Sequence, residues 1–133
     1  MSFQANILER TRENPNFRRV EFTGANSQLV VMTIPPGDDV GEEVHPHTEQ
    51  TLFFLGGTAK VLLDGKESRA RPGDVVVVTP GTRHNFINDG REPLRIYTVY
   101  APPNHIDGRI HRTHKDAEAD TEDEAFGERP PKR

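Results

Sequence analysis

The residues of this chain that could do chemistry fall into two spaced patterns. The first is Gly37-x5-Glu43-x-His45-x4-Gln50-x6-Gly57, and the second is Gly73-x5-Thr79-Pro80-Gly81-x2-His84-x3-Asn88. Glu43 and His45 project from the same face of an extended strand, because strand side chains alternate with a period of two. His84 and Gln50 complete the group if the two segments pair. Carboxylate, imidazole and amide donors that converge on one point are typical of a divalent metal site.

These patterns resemble the two motifs of the cupin superfamily, in particular of its small single-domain, sugar-isomerase-like members, over roughly residues 30 to 101. The family's first motif is usually Gly-x5-His-x-His, followed by Glu and then Gly, and its second is Gly-x5-Pro-x-Gly-x2-His-x3-Asn. Three positions differ here: Glu43 stands at the first His position, Gln50 at the Glu position and Thr79 at the first Pro position. The resemblance implies a divalent ion (Fe, Mn, Ni or Zn) with the ligands Glu43, His45, Gln50 and His84.

A second register remains open in the same segment. It uses the pair His45 and His47 with Gln50 or Glu49, and it keeps two imidazoles. The gap between His47 and Gln50 or Glu49 is shorter than the motif requires, so we prefer the first register. Pro46 between the two histidines favours a turn, since proline lacks a backbone donor, and this would leave His47 at the rim of the barrel.

Composition narrows the class of protein. A length of 133 residues fits one compact domain. The net charge is −4 and the basic residues are scattered, so a nucleic-acid partner is not expected. Without cysteine, any metal must be held by nitrogen and oxygen donors. No apolar run approaches the length of a signal peptide or of a membrane helix (about 20 residues), so we expect a cytoplasmic protein without a membrane partner.

Short apolar segments separated by turn signals predict the architecture. Asn6 to Asn14 is typical of a short helix, Asp64-Gly65 predicts a type I′ hairpin, and Val75 to Val78 reads as a buried core strand. We predict an all-β fold, a double-stranded β-helix (jelly-roll or cupin barrel), with a short N-terminal helix and a polar C-terminal tail. The expected divisions are an extension at 1–28, the barrel at 29–101 and an acidic tail at 102–133.

The tail carries three further histidines, His105, His111 and His114. Nothing in their spacing directs them toward the barrel, so structural or exposed roles are expected, with a metal site in the tail as the alternative. Thr113-x-x-Asp116 resembles a helix start. The acidic, alanine-containing segment that follows it is compatible with a polar helix or with solvated coil.

The resemblance and the donor set favour a metal-dependent enzyme acting on a small oxygenated molecule, such as a sugar or keto acid. Its reaction would be isomerase-like or dioxygenase-like. An isomerase needs a proton carrier, for which Glu49 is the candidate, or Glu43 if it is not a ligand. Arg83 beside His84 is a candidate for holding an acidic substrate.

Other functions remain open. The main alternative is a non-catalytic module that binds a small molecule in the same barrel, with or without an ion. A third reading makes the acidic tail the functional part of an interaction protein. In each case a homodimer is expected, because exposed strand edges of an open barrel favour pairing.

Overall fold

The computed structural model describes residues 1–130 as two β-sheets with helices at both ends of the chain. The strands are β1 (Arg18–Thr23), β2 (Gln28–Ile34), β3 (Glu49–Gly56), β4 (Ala59–Leu63), β5 (Lys66–Ala70), β6 (Val75–Val78), β7 (His84–Ile87), β8 (Leu94–Ala101) and β9 (Ile110–His111). The helices are α1 (Ile7–Glu13), α2 (His114–Ala119) and α3 (Thr121–Gly127). The larger sheet has the order β6-β3-β8-β2-β1-β9 and the smaller β5-β4-β7, with antiparallel pairing. The predicted double-stranded β-helix is confirmed.

The core lies between the sheets because alternate residues of the central strands are apolar and point inward. The larger sheet supplies Val30, Met32, Ile34, Leu52, Phe54, Leu94 and Ile96, each at most 3% exposed. The smaller sheet supplies Val61 and Phe86, and the rings of Phe54 and Phe86 meet with centroids 5.7 Å apart. The two sheets therefore share one apolar interior.

Two turns carry the positions that fix the register of the strands. Asp64 and Gly65 have φ angles of 49° and 81°, which confirms the predicted hairpin between β4 and β5. Gly57, the last residue of the first motif, has a φ of 76°, and a Cβ there would lie 2.7 Å from the carbonyl oxygen of Pro93. Glycine is therefore required at position 57 by both backbone conformation and space.

Strand β6 is an edge strand rather than a fully buried one, so the prediction that Val75 to Val78 are all core residues was wrong. Val78 is buried, whereas Val75 and Val77 are 53% and 52% exposed. The sequence pattern could not distinguish these cases, because a run of four valines looks the same whether one or both faces of its sheet are covered.

The N-terminal helix is confirmed near its predicted bounds. The side chain of Asn6 accepts from the backbone N–H of Glu9 at 3.1 Å, and the helix ends at Asn14, before Pro15. Helix α1 contacts β2 and β8. Val31, whose neighbours in β2 face the core, is nevertheless fully buried, as expected if α1 covers the outer face of the larger sheet over β2 and not over the edge strand β6.

The C-terminal tail is helical and bound to the barrel. Thr113 caps α2 by accepting from the N–H of Asp116 at 3.1 Å, as the capping pattern predicted. Gln28 of β2 anchors the start of the tail, since its Oε1 accepts from the N–H groups of Asn104 and His105 and its Nε2 donates to the His105 carbonyl. No helix within residues 1–130 is both long enough and apolar enough to span a bilayer.

Candidate metal centre

Glu43, His45 and His84 meet at one end of the barrel. Each offers a ligand atom, and these atoms all lie within 4.8 Å of one another. Glu43 and His84 exchange both backbone hydrogen bonds, each 3.0 Å long, in an isolated bridge. The segment that carries Glu43 is thus held against β7 without being a regular strand, although the sequence analysis placed Glu43 and His45 in an extended strand.

The imidazoles of His45 and His84 each have a ring nitrogen without a hydrogen-bond partner in the described chain. His84 Nδ1 lies 2.9 Å from the carbonyl oxygen of Thr82, to which it donates, so its Nε2 keeps a free lone pair. Burial lowers the pKa of His84, which favours the neutral form. His45 Nε2 is buried and makes no hydrogen bond within the described residues, although it lies 3.1 Å from Glu43 Oε2. Both rings are therefore suited to metal ligation.

The carboxylate of Glu43 supplies the negative charge of the group. Burial would raise the pKa of Glu43, but contact with His45 and the charge of Arg18 outweigh burial and lower this pKa to about 2. Glu43 is therefore ionised across the physiological range, as a hard cation requires of its ligand.

Gln50 is linked to this end of the barrel through Tyr100 and offers a neutral oxygen. Its Nε2 donates to Thr98 Oγ1 at 3.2 Å and to the Tyr100 hydroxyl at 3.1 Å, and its buried Oε1 has no partner within residues 1–130. The ring of Tyr100 meets that of His45 edge-on, with centroids 6.0 Å apart. The amide orientation leaves the oxygen available, and the four residues together fit a divalent ion by donor type.

Three other residues named from the sequence lie away from this group. Glu49 is exposed because it alternates with the inward-facing Gln50 in β3. His47 is exposed beyond Pro46. Arg83 is 64% exposed at its side chain and pairs with Glu42 at 3.5 Å. None of the three lines the cavity beside the group, so their positions lend no support to the suggested roles.

A cavity of about 440 Å³ opens beside the candidate metal group formed by Glu43, His45 and His84, and the tail forms much of its wall. Its lining includes Glu43 and His45, the side chains of Arg18 and His105, and residues of α2 and α3. Sequence reasoning missed Arg18, although its spacing from the core residue Val20 could have placed it on the inner face of β1. No sequence signal pointed to His105, because its position depends on the return of the tail.

His105 is buried against the C-terminal helices. Its Nδ1 lies 2.7 Å from Asp123 Oδ2, and since an ionised carboxylate only accepts, Nδ1 is the donor. Burial first, and then the charge of Arg18, lower the pKa of His105 to about 4 against the opposing effect of Asp123. His105 is thus neutral near pH 7, and its Nε2 is an acceptor without a partner within the described chain.

The remaining acid and histidine clusters are occupied by contacts within the tail and loops. His111 Nε2 contacts Asp120 at 2.9 Å, and Asp120 also accepts from Arg109. His114 Nδ1 contacts Asp38 at 2.8 Å. These pairs hold the tail in place and agree with the structural roles expected for His111 and His114.

Comparison with known proteins assigns this architecture to a family. The family model described as a cupin domain matches residues 30–100. The chain belongs to the cupin family. This cupin is 37% identical over 123 residues to the uncharacterized protein YrkC of Bacillus subtilis (strain 168), covering 88% of this chain and 66% of YrkC. The chain thus spans 66% of that relative's length.

Two solved structures extend the comparison. The cupin superposes on BH2720 from Bacillus halodurans with a TM-score of 0.88 and 34% identity, covering 90% of this chain and 95% of that one. It also resembles a protein described as a predicted oxalate decarboxylase from Thermotoga maritima, with a TM-score of 0.54 and 27% identity over 56% of this chain and 64% of the other. Cupins commonly bind a metal ion, and this cupin has a candidate group for one.

Proposed function

We propose that this cupin is a metal-dependent enzyme that acts on a small oxygenated molecule of the sugar or keto-acid class. The observation that carries the proposal is the convergence of Glu43, His45 and His84, whose ligand atoms lie within 4.8 Å of one another beside an open cavity. Gln50 is the proposed fourth ligand. The similarity to a predicted oxalate decarboxylase gives further support to an enzyme on this fold.

The proposed ligands differ in what they contribute. Glu43 brings one negative charge, while the two imidazoles and the amide of Gln50 are neutral donors. Iron, manganese, nickel and zinc all accept such nitrogen and oxygen donors. When bound, the ion would act as a Lewis acid toward a substrate carbonyl. The surrounding protein would hold the substrate, exclude water through the tail helices and keep His84 in the ligating tautomer through Thr82.

The second candidate is a non-catalytic module that binds a small molecule in the same cavity. It is favoured by the exposure of Glu49, since the proton carrier suggested for an isomerase lies outside the cavity. Turnover of sugars or keto acids that stops with a chelator and returns with one metal would support the enzyme. Binding of those compounds without turnover would support the module.

Metal analysis tests the centre itself. We expect protein purified without added metal to carry, or to take up, about one equivalent of a divalent ion. His45→Ala should lose it, whereas His47→Ala, a change to an exposed histidine two residues away, should keep it. A wild-type protein that neither contains nor binds a divalent ion would refute the proposal. Loss of the ion in both His45→Ala and His47→Ala would favour the second register, which uses both histidines as ligands.

We also propose that the cupin forms a homodimer through the edge and outer face of the larger sheet. Val75 is paired in register with Phe53, and Phe53 with Tyr97, so an apolar row crosses three strands. The rings of Phe53 and Tyr97 stack at 4.9 Å. With Val75 and Val77 half exposed on edge strand β6, this row supports pairing of two copies.

A further inference from the structure

Buried polar atoms without partners are concentrated around the cavity. Within residues 1–130 six buried side-chain atoms lack a hydrogen bond, and they belong to Arg18, Glu21, His45, Gln50, Asn104 and His105. Four of these residues line the cavity, namely Arg18, His45, Asn104 and His105. Buried polar groups are normally satisfied, because an unmade hydrogen bond costs about 1–3 kcal/mol. The clustering indicates a cavity built around a polar ligand.

Arg18 is the most unusual member of this set. It is 4% exposed, and it faces inward because it alternates with Arg19 and shares a face with the core residue Val20. Its guanidinium makes no ion pair with any acidic side chain of the described chain, and its polar neighbours are the neutral groups His111 Nδ1, at 3.5 Å, and the Tyr100 hydroxyl. A buried cation without an anionic partner is costly, so the structure leaves a place for an anion.

The acidic residues of the cavity do not fill that place. Asp123 is committed to His105 and to the backbone N–H of Ile106, and Glu43 belongs to the proposed metal group. The other acidic residues of the lining are exposed, where water screens their charge; they are Glu42, Glu118, Glu124 and Glu128. The charge of Arg18 helps to lower the pKa of Glu43, but the two side chains form no ion pair. A divalent ion held by Glu43 would engage that carboxylate and leave Arg18 without an anionic partner.

His105 supplies the complementary acceptor. Its Nδ1 donates to Asp123, and its Nε2 can accept a hydrogen bond from a ligand hydroxyl. The imidazole of His105 meets the ring of Tyr100 edge-on, with centroids 5.0 Å apart. Arg18 is near enough to Tyr100 to oppose the rise of the Tyr100 pKa that burial causes. Arg18 and His105, which both line the cavity, thus lie beside the same buried tyrosine.

We propose that the substrate is a small hydroxycarboxylate, whose carboxylate is bound by Arg18 and whose hydroxyl donates to His105 Nε2. This assignment rests on the proposed function for its charge balance and narrows the substrate class of that site. Arginine suits the role because its planar fork can bind both carboxylate oxygens. Both residues lie outside the matched cupin segment at 30–100, so the terminal extensions supply the selectivity.

Calorimetric titration with glycolate and with its neutral analogue 2-hydroxyacetamide tests the assignment, on zinc-loaded and on metal-free protein. We expect wild type to prefer glycolate, and Arg18→Gln to weaken glycolate binding at least about tenfold with little change for the amide. Arg83→Gln is the matched control, since it removes an exposed arginine beside His84. It should leave both affinities unchanged.

Three results would overturn the assignment: equal binding of glycolate by Arg18→Gln and wild type, equal loss in Arg83→Gln, or no discrimination by wild type. The metal-free arm separates this assignment from the proposed function. If no metal binds but glycolate still depends on Arg18, the metal proposal fails and the carboxylate subsite stands. If metal binds but the affinity for glycolate does not depend on Arg18, the carboxylate subsite fails and the metal proposal stands.

A further measurement on wild type covers the case in which Arg18→Gln does not fold. The Nε–H resonance of Arg18 should shift on addition of glycolate and not of 2-hydroxyacetamide. An unchanged resonance at saturating glycolate would refute the contact with Arg18. Arg18→Lys, which keeps the charge but not the fork, should bind glycolate with intermediate affinity.

Discussion

Glu43 and His84 are joined by two backbone hydrogen bonds of 3.0 Å, one in each direction. This bridge fixes the spacing between one proposed ligand from each motif, although 41 positions separate them along the chain. It also brings the loop that carries His45 over the end of β7. The position of the metal group therefore depends on a short stretch of backbone pairing rather than on a long strand.

Replacing Gln50 with Glu should restore a carboxylate at the position where the usual first cupin motif has one. In the metal-free protein we expect Gln50→Glu to lower stability by about 1–3 kcal/mol, because the new carboxylate is buried without a cation and the donor to Tyr100 is lost. With metal bound, the added charge should raise affinity. Denaturation with chelator and with zinc measures both effects; a gain of stability without metal would contradict the site as described.

The stability of the metal-free protein should fall as the pH drops from about 6.5 to about 4. His105 has an ordinary pKa of 6.5 but a folded pKa of about 4, so in this window the unfolded chain binds a proton that the folded chain does not. The slope from one such group reaches about 1.4 kcal/mol per pH unit. The lowered pKa of His84 acts in the same direction.

His105→Asn tests this origin of the pH dependence. Urea denaturation at several pH values should give a flatter profile for this variant than for wild type. His47→Asn, at an exposed histidine, should follow wild type. Parallel profiles for His105→Asn and wild type would show that His105 does not titrate as its burial requires.

Gly57→Ala should destabilise the barrel more than Gly65→Ala. Both glycines have positive φ angles, but a Cβ at position 57 would meet the Pro93 carbonyl at 2.7 Å, whereas position 65 faces open space. The conformational penalty alone is about 1–2 kcal/mol, and Gly57→Ala should exceed it because the Pro93 backbone must move. Thermal and urea unfolding of the two variants provide the comparison, and equal losses would argue against the close approach.

Lysine at Val75 and Val77 should convert the proposed dimer to a monomer. Two charges placed in an apolar contact would lose their hydration on pairing, which opposes association. Sedimentation or light scattering of Val75→Lys/Val77→Lys measures the mass. Ile110→Lys is the control, because Ile110 is equally exposed, at 53%, on the opposite edge strand. A monomeric wild type would refute the dimer, and dissociation by Ile110→Lys would place the contact at the other edge.

Much of the barrel could be predicted because its signals are local. The Asp64-Gly65 turn, the helix cap at Asn6 and the alternation in β2 and β8 each depend on residues close in sequence. The valines of β6 show the limit of such signals, since their exposure depends on which strands lie beside β6 and on what covers the sheet.

Fixed motif spacing was enough to predict the cupin resemblance, the order of the turns and, in the preferred register, the meeting of Glu43, His45 and His84. The exposure of Glu49 and the positions of Arg18 and His105 at the cavity became known from the fold. These two come from opposite ends of the chain, and a short sheet contact between β1 and β9 brings the ends together. Long-range packing of this kind leaves no periodicity in the sequence, which is why nothing in their spacing directed the histidines of the tail toward the barrel.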